Sequence, residues 1–264
     1  MDIIPQIHRE IAPVGPETIA YIGGFPITNS FLLIILIGIL FAIVGAYTVR
    51  RFSLVPNKLQ NTIEVLYESM LNLTNQITSS RKLSERIFPL IGALFVYIGV
   101  ANCIGLIPGV TSFTYNGVPL FRTPTSDFNT TFGLALAMML LIQIESIRDY
   151  GVLGYIGRFI RIKELIVGFK KGIKDGALAL VNFFIGFLDI IAEAAKVISL
   201  SFRLFGNMFA GEVLAILIIG ALAYILPSLW LSLNLLFAVV QAIVFGALVA
   251  AYYTLSVKRE EEGS

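Results

Sequence analysis

Charge is scarce in this 264-residue chain, at 14% of residues, against roughly 25% in an ordinary soluble domain. No Asp, Glu, Lys or Arg falls between Thr18 and Thr48, between Ile87 and Phe121, or between Val213 and Val257. Each interval is long enough for a helix of about 20 apolar residues, the length that crosses the hydrocarbon core of a bilayer. Phe128 to Ile144 is shorter, equally uncharged, and makes a fourth candidate. With 57% of its residues hydrophobic, the chain cannot be an ordinary soluble domain and reads as a polytopic membrane protein.

Other absences narrow the function. The single cysteine, Cys103, allows no internal disulfide and lies in an apolar run, where it reads as a small packed hydrophobe. The only histidine, His8, falls in the N-terminal tail and reads as a surface residue. There is no G-x-x-x-x-G-K-[ST] phosphate loop, so ATP chemistry belongs to other chains. No internal repeat and no separate soluble domain can be traced, and no cofactor or metal is called for. A net charge of +2 argues against nucleic acid as a partner. Asp2, His8, Arg9 and Glu10 precede an apolar run too long for a signal peptide, so the start is expected to be mature.

What charge there is has a pattern. Arg50, Arg51, Lys58, Arg81, Lys82 and Arg86 follow the first apolar segment, and Arg148, Arg158, Arg161, Lys163, Lys170, Lys171 and Lys174 follow the third, whereas the second connector holds only Arg122 and Asp127. Basic connectors stay on the cytoplasmic side. The N-terminus is therefore expected outside and the tail from Lys258 inside. The resulting layout is a single all-α membrane domain of about five membrane helices. An outer segment 1–30 leads to a first membrane helix 31–49, an amphipathic cytoplasmic-side helix 56–79, and a membrane hairpin 87–107 and 128–147. A basic connector 148–176 follows, then a long, tilted helical hairpin 177–220 and 229–257, and a tail 258–264. Within 56–79, Leu59, Ile63, Leu66, Met70, Leu73 and Ile77 recur at four- and three-residue steps, one helical stripe. That stripe suits a helix on the membrane surface, on a partner helix, or against the protein's own core.

The segment from Ala177 to Gly220 carries the charges that the other apolar segments lack. At roughly 100° per residue, Asn182, Asp189, Glu193, Lys196, Arg203 and Asn207 fall within about 40° of one direction. The stripe runs about 38 Å, more than the roughly 30 Å hydrocarbon core, hence the expected tilt. An arginine at mid-membrane costs roughly 2.5 to 17 kcal/mol, so Arg203 needs a reason. Lys196 is close enough in sequence to pair with Glu193 or Asp189. Those carboxylates, however, lie roughly 15 to 21 Å along the helix from Arg203. The last helix has no acid between Val213 and Val257, only Asn234 and Gln241 about two turns apart on one face. Any counter-charge for Arg203 must come from another helix or another chain. Gln241 can donate and accept hydrogen bonds but cannot carry a proton as an acid, which suits positioning.

The run Ser199-Leu200-Ser201-Phe202-Arg203-Leu204-Phe205-Gly206-Asn207-Met208-Phe209-Ala210-Gly211-Glu212 resembles the signature of subunit a of F-type ATP synthases. Asn102 with Gly105-Leu106-Ile107-Pro108-Gly109, the run Pro124-Thr125-Ser126-Asp127-Phe128-Asn129, and Gln241 are similar to the same family. The resemblance implies a stator that holds two aqueous half-channels against a rotating c-ring, each ring subunit bearing a mid-membrane carboxylate. Further partners implied are the peripheral-stalk b subunits, the rest of the complex and the lipid bilayer. The membrane implied is an energy-transducing one, of a bacterial plasma membrane or an organelle. By the same resemblance, Arg203 faces the ring carboxylate, Asp189, Glu212 and Asp127 lie at polar half-channel positions, and Gln241 lies near the arginine. Glu193 is expected to line a half-channel with Asp189, and Asn207, on the same stripe as Arg203, to belong to the proton path. Asn234 stands where some relatives carry a histidine. Arginine stays charged, so Arg203 would act as a fixed charge and not as a proton carrier. A stand-alone transporter or channel would also bear intramembrane charge, but repeats and a paired acid for Arg203 are lacking. A non-conducting scaffold leaves the cost of Arg203 unexplained.

Overall fold

Lipid offers no partner to a bare N–H or C=O, so a spanning backbone must satisfy itself internally, and helices do so. The computed structural model describes residues 15–107, 109–110, 113–159, 162–219 and 225–261. His8, Pro108, Arg161 and the end of the tail lie outside these residues, as do residues 220–224. A hairpin of β1 (Thr18–Ile22) and β2 (Phe25–Thr28) precedes α1 (Asn29–Arg50), α2 (Lys58–Thr78) and α3 (Arg81–Gly105). A two-residue pair, β3 (Thr114–Tyr115) and β4 (Val118–Pro119), leads through a 3₁₀ turn at Pro124–Ser126 into α4 (Phe128–Phe159), α5 (Ile162–Lys171), α6 (Ile173–Ile219) and α7 (Ile225–Glu261). Among the described residues, five helices are long and apolar enough to cross a membrane: Asn29–Arg50, Arg81–Gly105, Phe128–Asp149, Lys174–Ile218 and Leu226–Val257. The chain is an all-α, multi-pass membrane protein.

Local rules set the ends of the elements. Thr28 caps α1 by accepting from Phe31 N, and Asn57 caps α2 by accepting from Gln60 N, satisfying N–H groups a helix start leaves open. Asp127 does the same for α4. Inside α4, Gly151 takes φ 77° and ψ 160°, a conformation essentially reserved for glycine, and the helix bends there.

The described chain forms two compact units. The first comprises the chain up to Thr131 together with Phe202–Leu248. Its core includes Leu33, Ile37 and Ala101, against which Phe41, Tyr97 and Phe121 pack. A second cluster joins Met70 and Leu71 of α2 to Phe88 of α3. Helix α2 turns Gln60, Thr74 and Thr78 inward as well, and Thr78 Oγ1 meets Ser84 Oγ at 2.6 Å. Of the apolar stripe on α2, Met70 is buried while Leu59, Ile63, Leu66 and Leu73 stay exposed. The second unit comprises Phe132–Ser201 and the chain from Val249 on. There Ser256 Oγ of α7 donates to Ser146 Oγ of α4 at 3.3 Å. Gly168 of α5 lies so near the start of α6 that a Cβ would stand 2.6 Å from Ala179 Cβ.

Candidate functional site

In the second unit the polar groups gather around Glu193. Helix α6 sets Glu193 and Lys196 three residues apart, on one face, and Lys196 Nζ reaches Glu193 Oε1 at 2.7 Å. Lys196 also sits over the Tyr252 ring, 5.2 Å from its centroid, a cation–π contact. From α4, Gln143 Nε2 donates to Glu193 Oε2 at 3.1 Å, and Tyr155 Oη donates to Gln143 Oε1 at 2.9 Å. Both carboxylate oxygens of Glu193 thus accept a hydrogen bond. An open cleft of about 330 Å³ runs beside these groups, walled by Leu136, Met139, Leu140, Phe159 and Val197. Asp189 is half-buried about one turn earlier and does not line this cleft.

In the first unit Arg203 is exposed on α6 beside an exposed Phe202. Among the described residues no acid pairs with it. The sequence reading had left its counter-charge to come from elsewhere, and no described residue supplies it. One turn on, Asn207 is also exposed and its Nδ2 donates to Gln241 Oε1 at 2.6 Å. Gln241 is 3% exposed, and its Nε2 has no hydrogen-bond partner among the described residues. Asn234 is buried on α7, where its Nδ2 donates to Gly211 O at 3.4 Å and Trp230 Nε1 donates to the same oxygen at 3.2 Å. The approach is close: a Cβ at 211 would lie 2.8 Å from Asn234 Oδ1, so a larger residue there would shift the Asn234 amide.

Glu212, half-buried on α6, lies near the side chains of Ser126 and Thr123 and within reach of the Arg122 charge. Arg122 is itself buried: its Nε donates to Ser126 Oγ at 3.4 Å, Nη2 to Ser126 O at 3.3 Å, and Nη1 to Gly15 O. Behind it, Thr125 Oγ1 donates to Asn102 Oδ1 at 2.5 Å. Asp127 is buried and caps α4: its Oδ1 accepts from Asn129 N at 3.0 Å and its Oδ2 from Thr130 Oγ1 at 3.1 Å. In the first unit the structure therefore joins Asn207 to Gln241, one turn along α6 from Arg203, and sets Glu212 near Arg122 and Ser126, with Asp127 capping α4 beside them. Glu193 belongs to the second unit, with Asp189 about one turn away on the same helix.

Reading the sequence missed Arg122, Thr123, Ser126, Gln143 and Tyr155. Gln143 had a signal: it is the amide that interrupts the apolar run Phe132–Ile144. Ser126 lies in the Pro124–Asn129 run, while Arg122, Thr123 and Tyr155 carry none, because their burial and contacts come only with the fold.

Fold and site together define an integral membrane protein that holds ionisable and amide groups along its membrane helices. The family model for the ATP synthase A chain matches residues 29–254. The chain is 36% identical over 208 residues to ATP synthase subunit a of Desulforamulus reducens, covering 75% of this chain and 66% of that one. It is 34% identical to subunit a of Psychromonas ingrahamii over 86% of this chain and 84% of that one. With the subunit a of Propionigenium modestum described as sodium ion specific, identity is 29% over 94% and 80%. The chain belongs to the ATP synthase A chain family, subunit a of the F-type ATP synthases.

Proposed function

We propose that this subunit carries the ion path of its ATP synthase, with Arg203 as the fixed charge that couples ion flow to rotation of a c-ring. The observation that carries the proposal is an exposed arginine on an apolar membrane helix with no acid paired to it among the described residues. A charge so placed is costly unless a partner covers it, and a mid-membrane carboxylate on the ring is the complementary group. An ionised carboxylate is favoured within about 4 to 6 Å of a positive charge. A protonated ring carboxylate that reaches Arg203 therefore sheds its proton, and one that has moved on takes up another. Asn207 and Gln241 flank the arginine.

The Glu212 and Glu193 groups are the two half-channels in this proposal. Glu212 lies against the charge-poor connector, which the basic-residue pattern assigns to the outside. Glu193 opens on its cleft near the basic connector, assigned to the cytoplasm. Asp189 adds a polar group on the Glu193 side, Asp127 supports the Glu212 side as a helix cap, and Asn234 acts through its hydrogen bond to Gly211. A transmembrane potential contributes about 2.3 kcal/mol per charge per 100 mV to movement through such a path. The b subunits of the peripheral stalk complete the stator, in an energy-transducing membrane such as a bacterial plasma membrane. Proton-pumping assays on reconstituted complex test the proposal. Arg203→Ala is expected to abolish ATP-driven pumping while the complex still assembles, and normal coupled pumping in that variant would sink it.

A further inference from the structure

We propose that Tyr155 is a positioning residue of the Glu193 half-channel, holding the carboxylate in place through Gln143; the assignment rests on the reading of Glu193 as an ion-path group. A glutamine amide presents one acceptor side and one donor side. Tyr155 Oη donates to the acceptor side at 2.9 Å, which leaves the donor side facing Glu193 Oε2 at 3.1 Å. Lys196 holds the other carboxylate oxygen at 2.7 Å. Glu193 is thus tied from both sides at the wall of an open cleft of about 330 Å³. Without the phenol the amide is free to turn over and set its oxygen against the carboxylate, and Glu193 loses its second anchor.

The arrangement depends on the bend at Gly151. Gln143 lies on the membrane-spanning part of α4, Phe128–Asp149, and Tyr155 lies beyond the bend. A straight helix places residues twelve apart about 18 Å along the axis. Here their side chains touch. Phe159 meets the Tyr155 ring edge-on with centroids 5.2 Å apart, and both rings line the cleft. The segment after Gly151 is therefore a strap that returns Tyr155 and Phe159 to the wall of the cleft.

Two measurements on the whole complex in liposomes test the assignment. In passive proton conduction driven by an imposed potential, Tyr155→Phe and Gln143→Leu are each expected to slow the flux about fivefold, the effect of one lost hydrogen bond. The double variant should be no slower than the worse single one, because the two act in series. Additive losses, or full conduction in Tyr155→Phe, overturn the assignment. In the second measurement a thiol reagent labels Ala194→Cys in the cleft wall, and Tyr155→Ala should raise the labelling rate severalfold by opening the strap. An unchanged rate overturns it as well. Labelling needs no rotation, so it reads the strap even if Arg203→Ala complexes still pump, which would remove the coupling proposal alone.

Discussion

At Gly105, the last residue of α3, a methyl group has nowhere to go. A Cβ would stand 2.1 Å from Thr123 Oγ1, 2.8 Å from its Cγ2 and 2.9 Å from its Cβ. Thr123 lies near Glu212, so Gly105→Ala should disturb both the packing and the proposed ion path. Overpacking of this kind costs about 1 to 3 kcal/mol. The expected result is a lower unfolding temperature of the detergent-purified complex together with slower ATP-driven pumping. A variant with wild-type values in both assays would contradict the contact. Gly105 belongs to a run quoted from the sequence, but the reason for it is invisible there, because Thr123 comes from a different element. Arg203 was legible for the opposite reason: a charge within an apolar run is conspicuous by its cost alone. Arg122 sits in a polar connector, where an arginine costs nothing in sequence terms, and only the fold shows that it is buried against Ser126 and near Glu212.

Among the elements, membrane helices were the legible ones, since an uninterrupted apolar run long enough to cross a bilayer has few other fates. The charge-free intervals lie within or across α1, α3 and α7, and α6 was marked by the polar stripe it carries. The continuation of α4 beyond residue 147 and the helix α5 were not legible, because basic residues spread through the segment and hide its short apolar repeat. For the α2 stripe the periodicity leaves the membrane surface, a partner helix and the protein's own core open, and the fold buries Met70 while Leu59, Ile63, Leu66 and Leu73 stay exposed. The bend in α4 rests on one residue. Around Gly151 a Cβ would meet nothing within 4 Å, so in Gly151→Ala only the backbone resists, at about 1 to 3 kcal/mol for a conformation that side chains avoid. That variant should relax the bend and draw Tyr155 away from Gln143. Its Ala194→Cys labelling rate is expected to match that of Tyr155→Ala, with a lower unfolding temperature. A rate equal to that of the wild type would show that the strap does not depend on the bend.

For the whole molecule, the sequence yields the number of spans and the expected sides of the connectors, but not the division into two units. Its boundaries fall inside α4, α6 and α7, where no shift in composition marks them. Coupling belongs to this scale, because it joins the ion path to a partner and to the membrane potential. A fixed positive charge in the path has two consequences that one substitution can separate. In the proposed ion path it would drive the ring carboxylate to release its proton, and it would repel any proton passing straight through without the ring. At 4 Å and an effective dielectric of about 20, the repulsion between two unit charges is about 4 kcal/mol, an upper bound equivalent to a thousandfold suppression. Arg203→Ala should therefore lose ATP-driven pumping and at the same time raise the passive proton leak by one to three orders of magnitude. Arg203→Lys keeps the charge but loses the planar fork, so its leak should stay low while its pumping is impaired. Leak measured with a potassium diffusion potential distinguishes the cases. If Arg203→Ala leaks no more than the wild type, the arginine assists proton release but does not seal the path, and the seal must be sought in the apolar side chains around it.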